Sequence, residues 1–271
     1  VNSLVERPGG TAGNISYCLV LLGEKPHTLA TIGYDYSRYF DWMDQSNVPK
    51  TGIKIVDNQP TAGAYITTDI DDNQITGFHP GAMLLTSDFN FDAYKPEESI
   101  GILAPGNQDD MINYSRIYKK KGIRHIFDPG QSLPIWTGDG LKECIDGAEI
   151  LIANDYEMGL IANLTGLNVP ALAKLANAVI TTKGAEGSLI TMGEASITIP
   201  SVEPNKVSDP TGAGDSYRGG LIKGLIDGKD LAGAALMGSV CASFAVEVEG
   251  TQGYSFTAAD FEQRVSTVQV R

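Results

Sequence analysis

The chain has 271 residues and a mass of 28.8 kDa, enough for one large domain or one domain with a small appendage. Hydrophobic residues make up 42% and charged residues 20% of the sequence, which excludes a disordered chain, a collagen-like chain and a disulfide scaffold. The formal net charge of −13 argues against a nucleic-acid partner, because an acidic protein repels the phosphodiester backbone. A small phosphorylated ligand is still allowed, since the amino terminus of one helix can hold it locally.

The cysteines and the apolar runs indicate a cytoplasmic protein with no membrane partner. Cys18, Cys144 and Cys241 are too few and too scattered for a disulfide framework or a zinc site, so we expect reduced, partly buried thiols. No apolar run approaches the roughly 20 residues that are needed to span a bilayer. The chain begins at Val1 without a signal-peptide pattern.

The first elements along the chain are a helix and a hairpin. Residues 12–22 are predicted to be helical and to end at Gly23. Residues 64–68 alternate apolar and polar side chains, residues 71–73 offer a turn, and residues 75–78 supply a second strand. A hairpin is not stable by itself. We therefore predict a small β lid of residues 1–10 and 61–80, in which the stretch before Gly9 adds a strand, over a main domain of residues 11–60 and 81–271.

The second half of the chain alternates strands and helices. Four short runs read as buried strands, at residues 100–104, 123–127, 150–153 and 178–182, and residues 109–121 form a helix that stops at Gly122. Further helices are predicted at residues 214–227 and 231–248, with a last helix that begins at Thr257. Strand–helix–strand units of this spacing predict an α/β fold, three layers in α/β/α order with a mostly parallel central sheet.

The most informative motif is Asp-Pro-Thr-Gly-Ala-Gly-Asp at residues 209–215. Its glycines, Gly212 and Gly214, allow a tight turn whose backbone N–H groups point into a cavity, and the helix that begins there adds the positive end of its dipole. The motif therefore predicts either an anion site or an ordinary helix start that Asp215 caps. The glycine spacings of dinucleotide-binding and Walker loops are absent, which argues against a Rossmann-type oxidoreductase.

Residues 209–215 resemble the C-terminal signature of the ribokinase-like (phosphofructokinase-B-type) kinases. Three more segments are similar to that family in the same order, namely Gly9-Gly10 with Asn14, Asn-Asp-Tyr-Glu at residues 154–157, and Thr-Thr-Lys-Gly-Ala-Glu-Gly at residues 181–187. Together they cover nearly all of the chain. Within the family, residues 9–14, 41–43, 78–83, 128–131 and 249–252 resemble the bacterial adenosine kinases.

The resemblance implies the catalytic residues. Asp215 is expected to be the general base that takes the proton from the acceptor hydroxyl as it attacks the γ-phosphorus of ATP. The N–H groups of Gly212, Ala213 and Gly214 are expected to stabilise charge on the transferred phosphoryl oxygens. Arg218 lies one helical turn further on, and it either faces the same phosphate or is a surface arginine.

The resemblance also implies a nucleotide and cation site. Glu157 would organise Mg²⁺ through water with Asn154 beside it, the alternative for Glu157 being an exposed helix cap. Thr182, Gly184 and Gly187 would border the nucleotide, although the glycines fit any hairpin turn by spacing alone. Asp209 would lie at the nucleotide and, with Thr211, could contribute to a site for a monovalent cation such as K⁺.

The resemblance also implies an acceptor site. Asn14 would bond vicinal ribose hydroxyls, and Gly9 and Gly10 would let the backbone approach the sugar and the lid swing. Phe78 would stack on adenine, or else pack within the lid, and Gln131 would read the edge of the base.

One feature departs from the family pattern. Relatives carry an acidic residue that binds the acceptor on a strand before the di-glycine element. Only eight residues precede Gly9 here, and Glu6 is the only acid among them. We expect that the sequence lacks that first strand, the alternative being that the acceptor is held differently.

The sequence thus predicts an enzyme that transfers a phosphoryl group from Mg²⁺-bound ATP to the 5′-hydroxyl of a nucleoside, with adenosine as the first candidate. A sugar kinase for ribose, fructose or a related furanose is the nearest alternative, and a non-catalytic ligand-binding relative is the other. The exposed lid predicts a homodimer that forms through the lid.

Overall fold

The computed structural model describes residues 4–69 and 73–268. The strands of these residues are β1 (Ala30–Ile32), β2 (Ile53–Ile55), β3 (Gly63–Thr68), β4 (Gln74–His79), β5 (Ile100–Leu103), β6 (Arg124–Phe127), β7 (Ile150–Asn154), β8 (Ala178–Thr182), β9 (Ser188–Met192) and β10 (Ala195–Ile199). The helices are α1 (Thr11–Leu21), α2 (Ser37–Gln45), α3 (Gln108–Lys121), α4 (Gly138–Ile145), α5 (Asp155–Thr165), α6 (Val169–Leu175), α7 (Ala213–Ile226), α8 (Leu231–Ala245) and α9 (Ala258–Ser266).

A six-stranded sheet forms the middle layer, in the order β10-β9-β8-β7-β6-β5. Strands β5 to β8 are parallel to one another, whereas β9 and β10 add to β8 as antiparallel strands. The four strands that the sequence predicted are these parallel strands. The prediction of a mostly parallel sheet is therefore confirmed.

Helices cover both faces of the sheet. Successive residues of a strand point to opposite faces, so they pack against different helices. On β7, Leu151 packs with helices α3 to α6, whereas Ile150 and Ile152 pack with α1, α7 and α8. All three residues are fully buried, as expected for a strand in the centre of a parallel sheet. This alternation produces the predicted three layers.

The helices begin and end at residues that favour capping. Helix α3 begins where the Asn107 side chain accepts a hydrogen bond from the Asp110 N–H, and it ends at Gly122 in the left-handed conformation. Helix α9 begins with a complete capping box between Thr257 and Asp260, as predicted. Helix α8 stops at Ala245, three residues before the predicted end.

The predicted hairpin is present as β3 and β4, which pair antiparallel from Gly63 opposite His79 to Thr68 opposite Gln74. Asp71 and Asp72 of the predicted turn lie outside the described residues, as do residues 1–3 of the predicted lid. The root of the hairpin is attached near the carboxyl end of β5, where the Asn107 amide donates to the Met83 carbonyl at 3.1 Å.

The prediction of a further lid strand before Gly9 is wrong for residues 4–8, which form no strand. This segment runs along the main body instead: Arg7 pairs with Glu249 at 2.6 Å, and the Pro8 carbonyl accepts from the Thr251 hydroxyl at 3.3 Å. Pro8 has no N–H to give to a strand ladder. A short parallel pair, β1 with β2, was not predicted.

Candidate active site

The candidate site lies at the carboxyl-terminal edge of the parallel strands. Asp128 follows β6 directly, Asn154 ends β7, and Thr182 ends β8 directly opposite Asn154. Because the carboxyl ends of parallel strands meet at one edge, these polar side chains are neighbours. Helix α7 begins at the same place, since Arg218 of α7 donates to Asp128 Oδ1 at 3.0 Å.

The start of α7 is an open backbone corner. Gly212 has φ of 81° and no side chain caps the helix, and a Cβ atom at Gly212 would lie 2.8 Å from Thr251 Cγ2. The Ala213 N–H donates to the Pro210 carbonyl at 3.2 Å, so one of the three predicted phosphoryl donors is occupied within the turn. Among the described residues, no group accepts from the N–H of Gly212 or of Gly214. The alternative in which Asp215 caps the helix is therefore wrong.

Asp215 is held beside this corner by Asn14, whose Nδ2 donates to Asp215 Oδ2 at 2.7 Å. Burial raises the pKa of the Asp215 carboxyl to about 6, while the Asn14 hydrogen bond and the Arg218 charge act in the opposite direction. The carboxyl is thus ionised at neutral pH and more basic than a solvated aspartate. Such a group suits general-base catalysis.

Arg218 is buried, so the alternative of a surface arginine is wrong. Its Nη2 donates to Asp128 Oδ1 at 3.0 Å and its Nε donates to the other oxygen of Asp128, which makes a two-bond ion pair. Its Nη1 donates to the Gly214 carbonyl at 3.0 Å. The predicted contact with phosphate would therefore have to be made by a guanidinium that already holds the α7 corner to the end of β6.

Asn154 and Glu157 form a capping box at the start of α5. The Asn154 Oδ1 accepts from the Glu157 N–H at 2.7 Å, and Glu157 Oε2 accepts from the Asn154 N–H at 2.9 Å. Among the described residues no group donates a hydrogen bond to Glu157 Oε1, and Asn154 has the role of a cap. No group of three or more acidic, histidine or cysteine side chains among the described residues could hold a metal ion. The donor set fits a hydrated Mg²⁺ that Glu157 contacts, since Mg²⁺ keeps several waters.

The segment after β8 is a hairpin turn into the antiparallel strand β9. The Lys183 N–H closes the turn by donating to the Gly187 carbonyl at 2.8 Å. Gly187 has φ of 86°, and a Cβ atom there would lie 2.1 Å from the Ile199 carbonyl oxygen, so it is required by packing. Gly184 has φ of 56° and is exposed, with open space where a Cβ would stand. Of the two glycines, Gly184 is the one with room for a ligand beside it.

Asp209 holds the 209–211 turn against the chain that follows α8. One carboxylate oxygen accepts from the Thr211 N–H at 2.9 Å and the other from the Gly250 N–H at 3.0 Å. Burial alone would raise the pKa of Asp209, but these backbone hydrogen bonds outweigh burial and the pKa is lowered. The carboxylate therefore stays ionised beside the open corner.

The residues predicted for the acceptor divide into two groups. Gly9, Gly10, Asn14 and Gln131 meet at the start of α1, where the Gln131 amide donates to the Thr11 hydroxyl at 3.1 Å. Phe78 lies instead on β4, with 56% of its surface exposed. Glu6 is exposed and pairs with Arg38.

Three side chains that received no role from the sequence contact Asn14 or its neighbours. The Gln252 amide donates to Asn14 Oδ1 at 2.8 Å and accepts from Trp42 Nε1 at 2.8 Å, and the Tyr39 hydroxyl donates to the Gly9 carbonyl at 2.7 Å. Gln252 and Trp42 belong to two of the segments that carry the family resemblance, which was the available signal. Their contacts join positions 210 residues apart.

Known proteins resemble this chain over most of its length. The model of the pfkB family of carbohydrate kinases matches residues 1–258. A nucleoside kinase of Methanocaldococcus jannaschii is 34% identical over 247 residues, 90% of this chain and 80% of that protein. The structure of the Burkholderia thailandensis nucleoside kinase in complex with inosine superposes with a TM-score of 0.91 at 35% identity, covering 98% of this chain and 87% of that one. A ribokinase of Bacillus subtilis is 23% identical over 96% of this chain and 88% of its own length.

The chain belongs to the pfkB family of carbohydrate kinases. It is an ATP-dependent kinase that phosphorylates a hydroxyl group, which excludes the non-catalytic alternative. Among residues 4–69 and 73–268, no helix combines the length and the apolar character that crossing a membrane requires.

Proposed function

We propose that the protein transfers the γ-phosphoryl group of Mg²⁺-bound ATP to the 5′-hydroxyl of a purine nucleoside, with adenosine as the expected acceptor. The observation that carries the proposal is the placement of Asp215. Its carboxyl adjoins the open N–H corner at Gly212 and Gly214 and makes no cap for α7. Base and phosphoryl site are thus side by side, as an in-line transfer requires.

In this mechanism Asp215 accepts the proton of the acceptor hydroxyl while the oxygen attacks phosphorus. The free N–H groups of Gly212 and Gly214 bond the phosphoryl oxygens as their charge changes, a stabilisation whose loss typically costs roughly 3–4 kcal/mol. Mg²⁺ would neutralise charge on the phosphates when bound, and Glu157 is the residue that would hold its water shell. The N–H groups are available without any rearrangement of the turn.

The nucleoside acceptor is favoured by the relatives. The M. jannaschii and B. thailandensis proteins are named nucleoside kinases, and the latter was crystallised with inosine. The B. subtilis relative is a ribokinase, so a free furanose is the second candidate acceptor. Gln131, beside the start of α1, and Phe78, on the hairpin, are the residues we propose to contact the base.

A substrate panel tests the acceptor. Phosphorylation of adenosine, inosine, ribose and fructose is measured with ATP and Mg²⁺, and 5′-deoxyadenosine serves as the matched control because it lacks only the accepting hydroxyl. We expect the highest kcat/KM with adenosine and no turnover of the 5′-deoxy compound. A higher kcat/KM with ribose or fructose than with adenosine would overturn the nucleoside proposal.

We also propose a monovalent-cation site beside the corner, with Asp209 and Thr211 as the local contributors. The ionised Asp209 carboxylate, fixed by two backbone N–H groups, supplies the negative charge that such a site needs. Rates in KCl and in choline chloride at equal ionic strength test the site. Equal rates in the two salts would contradict it.

The β3–β4 hairpin is proposed to act as a lid and as a dimer contact. Both of its faces carry exposed apolar side chains, with Ile66 and Phe78 on one face and Tyr65 and Ile75 on the other. One two-stranded hairpin can cover the acceptor with one face and pair with a second copy through the other. These assignments give the two faces separate tests.

A further inference from the structure

A directional row of hydrogen bonds leads from α2 to the candidate base. Trp42 Nε1 donates to Gln252 Oε1 at 2.8 Å, Gln252 Nε2 donates to Asn14 Oδ1 at 2.8 Å, and Asn14 Nδ2 donates to Asp215 Oδ2 at 2.7 Å. Asn14 and Gln252 are buried, with 4% and 3% of their surfaces exposed. A wrong orientation of a buried amide destabilises the protein strongly, because water cannot replace a lost hydrogen-bond partner.

The direction of this row is fixed by chemistry at one end. An indole nitrogen is only a donor, so Gln252 must turn its oxygen to Trp42 and its NH₂ group to Asn14. Asn14 must then turn its oxygen to Gln252 and its NH₂ group to Asp215. The reverse orientation of Asn14 would set its oxygen against the Asp215 carboxylate and its NH₂ group against the NH₂ group of Gln252.

A second contact independently orients Gln252. The Tyr39 hydroxyl gives its single proton to the Gly9 carbonyl at 2.7 Å, so it can only accept from Gln252 Nε2, which lies 3.2 Å away. The Gly9 carbonyl, which is an acceptor only, lies 3.4 Å from the same nitrogen. Acceptors surround the Gln252 nitrogen, and a donor faces its oxygen.

We propose that Gln252, oriented by Trp42 and Tyr39, is a positioning residue that locks the Asn14 amide with its donor toward the Asp215 carboxylate. The inference rests on the proposed role of Asp215 as general base. In this role Gln252 contacts neither ATP nor the acceptor. Its effect is to keep a hydrogen bond on the ionised form of the base and to hold that carboxylate in one orientation.

The other charged groups that face Asp215 are Arg218 on its own helix, Asp128 after β6 and Glu157 on α5. Arg218 is held by Asp128, and Glu157 by the capping box. None of these groups contacts Gln252 or Trp42 among the described hydrogen bonds. Variants of the row therefore change the Asn14 amide without touching those charges.

Two variants test the row from different sides. Gln252→Glu keeps an oxygen for Trp42 but places a second oxygen against Asn14 Oδ1, which turns the Asn14 amide over and removes the donor from Asp215. Trp42→Phe removes the donor-only group without changing any charge, so the orientation of the Gln252 amide is weakened and is held only by the acceptors around its nitrogen. Gln263→Glu, exposed on α9, adds the same charge at a remote position and is the control.

The readout is kcat against pH at saturating ATP and acceptor, together with KM for ATP. We expect the acid limb to move up by about one pH unit in Gln252→Glu and by less in Trp42→Phe, with kcat at pH 6 about fivefold lower in the former and regained at high pH. KM for ATP is expected to stay unchanged. Loss of thermal stability without a moved acid limb in both variants would reduce Gln252 to a structural residue and overturn the proposal.

A second measurement needs no turnover. The ¹³C resonance of the Asp215 carboxyl reports its titration directly in the wild-type protein, in Trp42→Phe and in Gln252→Glu, and an unmoved midpoint in folded Trp42→Phe overturns the proposal even if Gln252→Glu does not fold. Failure of the base assignment shows separately, as turnover retained by Asp215→Asn. The two failures are therefore distinguishable.

Discussion

Arg218 and Asp128 form a buried, two-bond ion pair that joins the first turns of α7 to the end of β6. The two residues are 6% and 1% exposed, and the pair spans 90 positions of sequence. The guanidinium also bonds the Gly214 carbonyl. The pair therefore fixes the corner whose N–H groups face the phosphoryl site.

Asp128→Asn is predicted to destabilise the protein strongly, because it leaves the Arg218 charge buried without its partner. Removing one partner of a buried pair costs about 3–5 kcal/mol in the free energy of unfolding. Urea denaturation measures it, with Glu143→Gln as the control, since Glu143 pairs with Arg116 at an exposed site and should change little. Similar losses in the two variants would contradict this account.

The sequence predicted the layers and the corner because both are local patterns. The runs at residues 150–153 and 178–182 are apolar on both faces, and Gly212 and Gly214 flank a helix start. It could not predict what Arg218 contacts, since the choice between phosphate and Asp128 depends on how β6 and α7 pack. The same holds for Gln252, whose partners lie more than 200 positions away.

Asp215→Asn is predicted to abolish turnover while the fold and the affinity for ATP persist. The amide is nearly isosteric, and a positioned base contributes on the order of 10²–10⁴ in rate. Turnover is measured with adenosine, and ATP binding by calorimetry on the same preparation. A variant that keeps more than about a tenth of the wild-type kcat would refute the base assignment.

The pH profile is predicted to show an acid limb near pH 6. Burial raises the pKa of Asp215 to about 6, and only the ionised carboxylate can accept the proton, so kcat should fall as the pH drops through that value. Asp215→Asn should show no such limb in its residual rate. A wild-type limb near pH 4 would mean that the reacting base is a solvated carboxylate.

The same carboxyl predicts a pH-dependent stability. Its pKa of about 6 in the folded protein is above the value of about 3.9 expected in the unfolded chain, so the folded state holds the proton longer. Its contribution to stability is present below about pH 4 and is lost as the pH rises through about 6. At pH 8 the free energy of unfolding of Asp215→Asn, measured with urea, should therefore exceed that of the wild type by about 1–3 kcal/mol. Near pH 4 the two free energies should be similar.

Glu157→Gln separates the metal role of Glu157 from its capping role. Glutamine still offers an oxygen to the Asn154 N–H, so α5 should keep its start and the protein its stability. The lost charge should raise the Mg²⁺ concentration for half-maximal rate, by about 10- to 100-fold. Glu262→Gln on α9 controls for net charge, and unchanged Mg²⁺ dependence with retained stability would leave Glu157 as a cap alone.

The hairpin is predicted to pair with a second copy through the face that carries Tyr65 and Ile75. Ile75 is 78% exposed, and Phe78, the proposed base contact, lies on the opposite face with Ile66. Ile75→Lys should shift the protein from dimer to monomer in sedimentation velocity, because a buried ammonium in an apolar contact loses its hydration. Ile66→Lys, the matched variant, should leave the dimer intact and raise KM for the acceptor. A monomeric wild type would refute the dimer, and dimer loss in Ile66→Lys alone would reverse the assignment of the two faces.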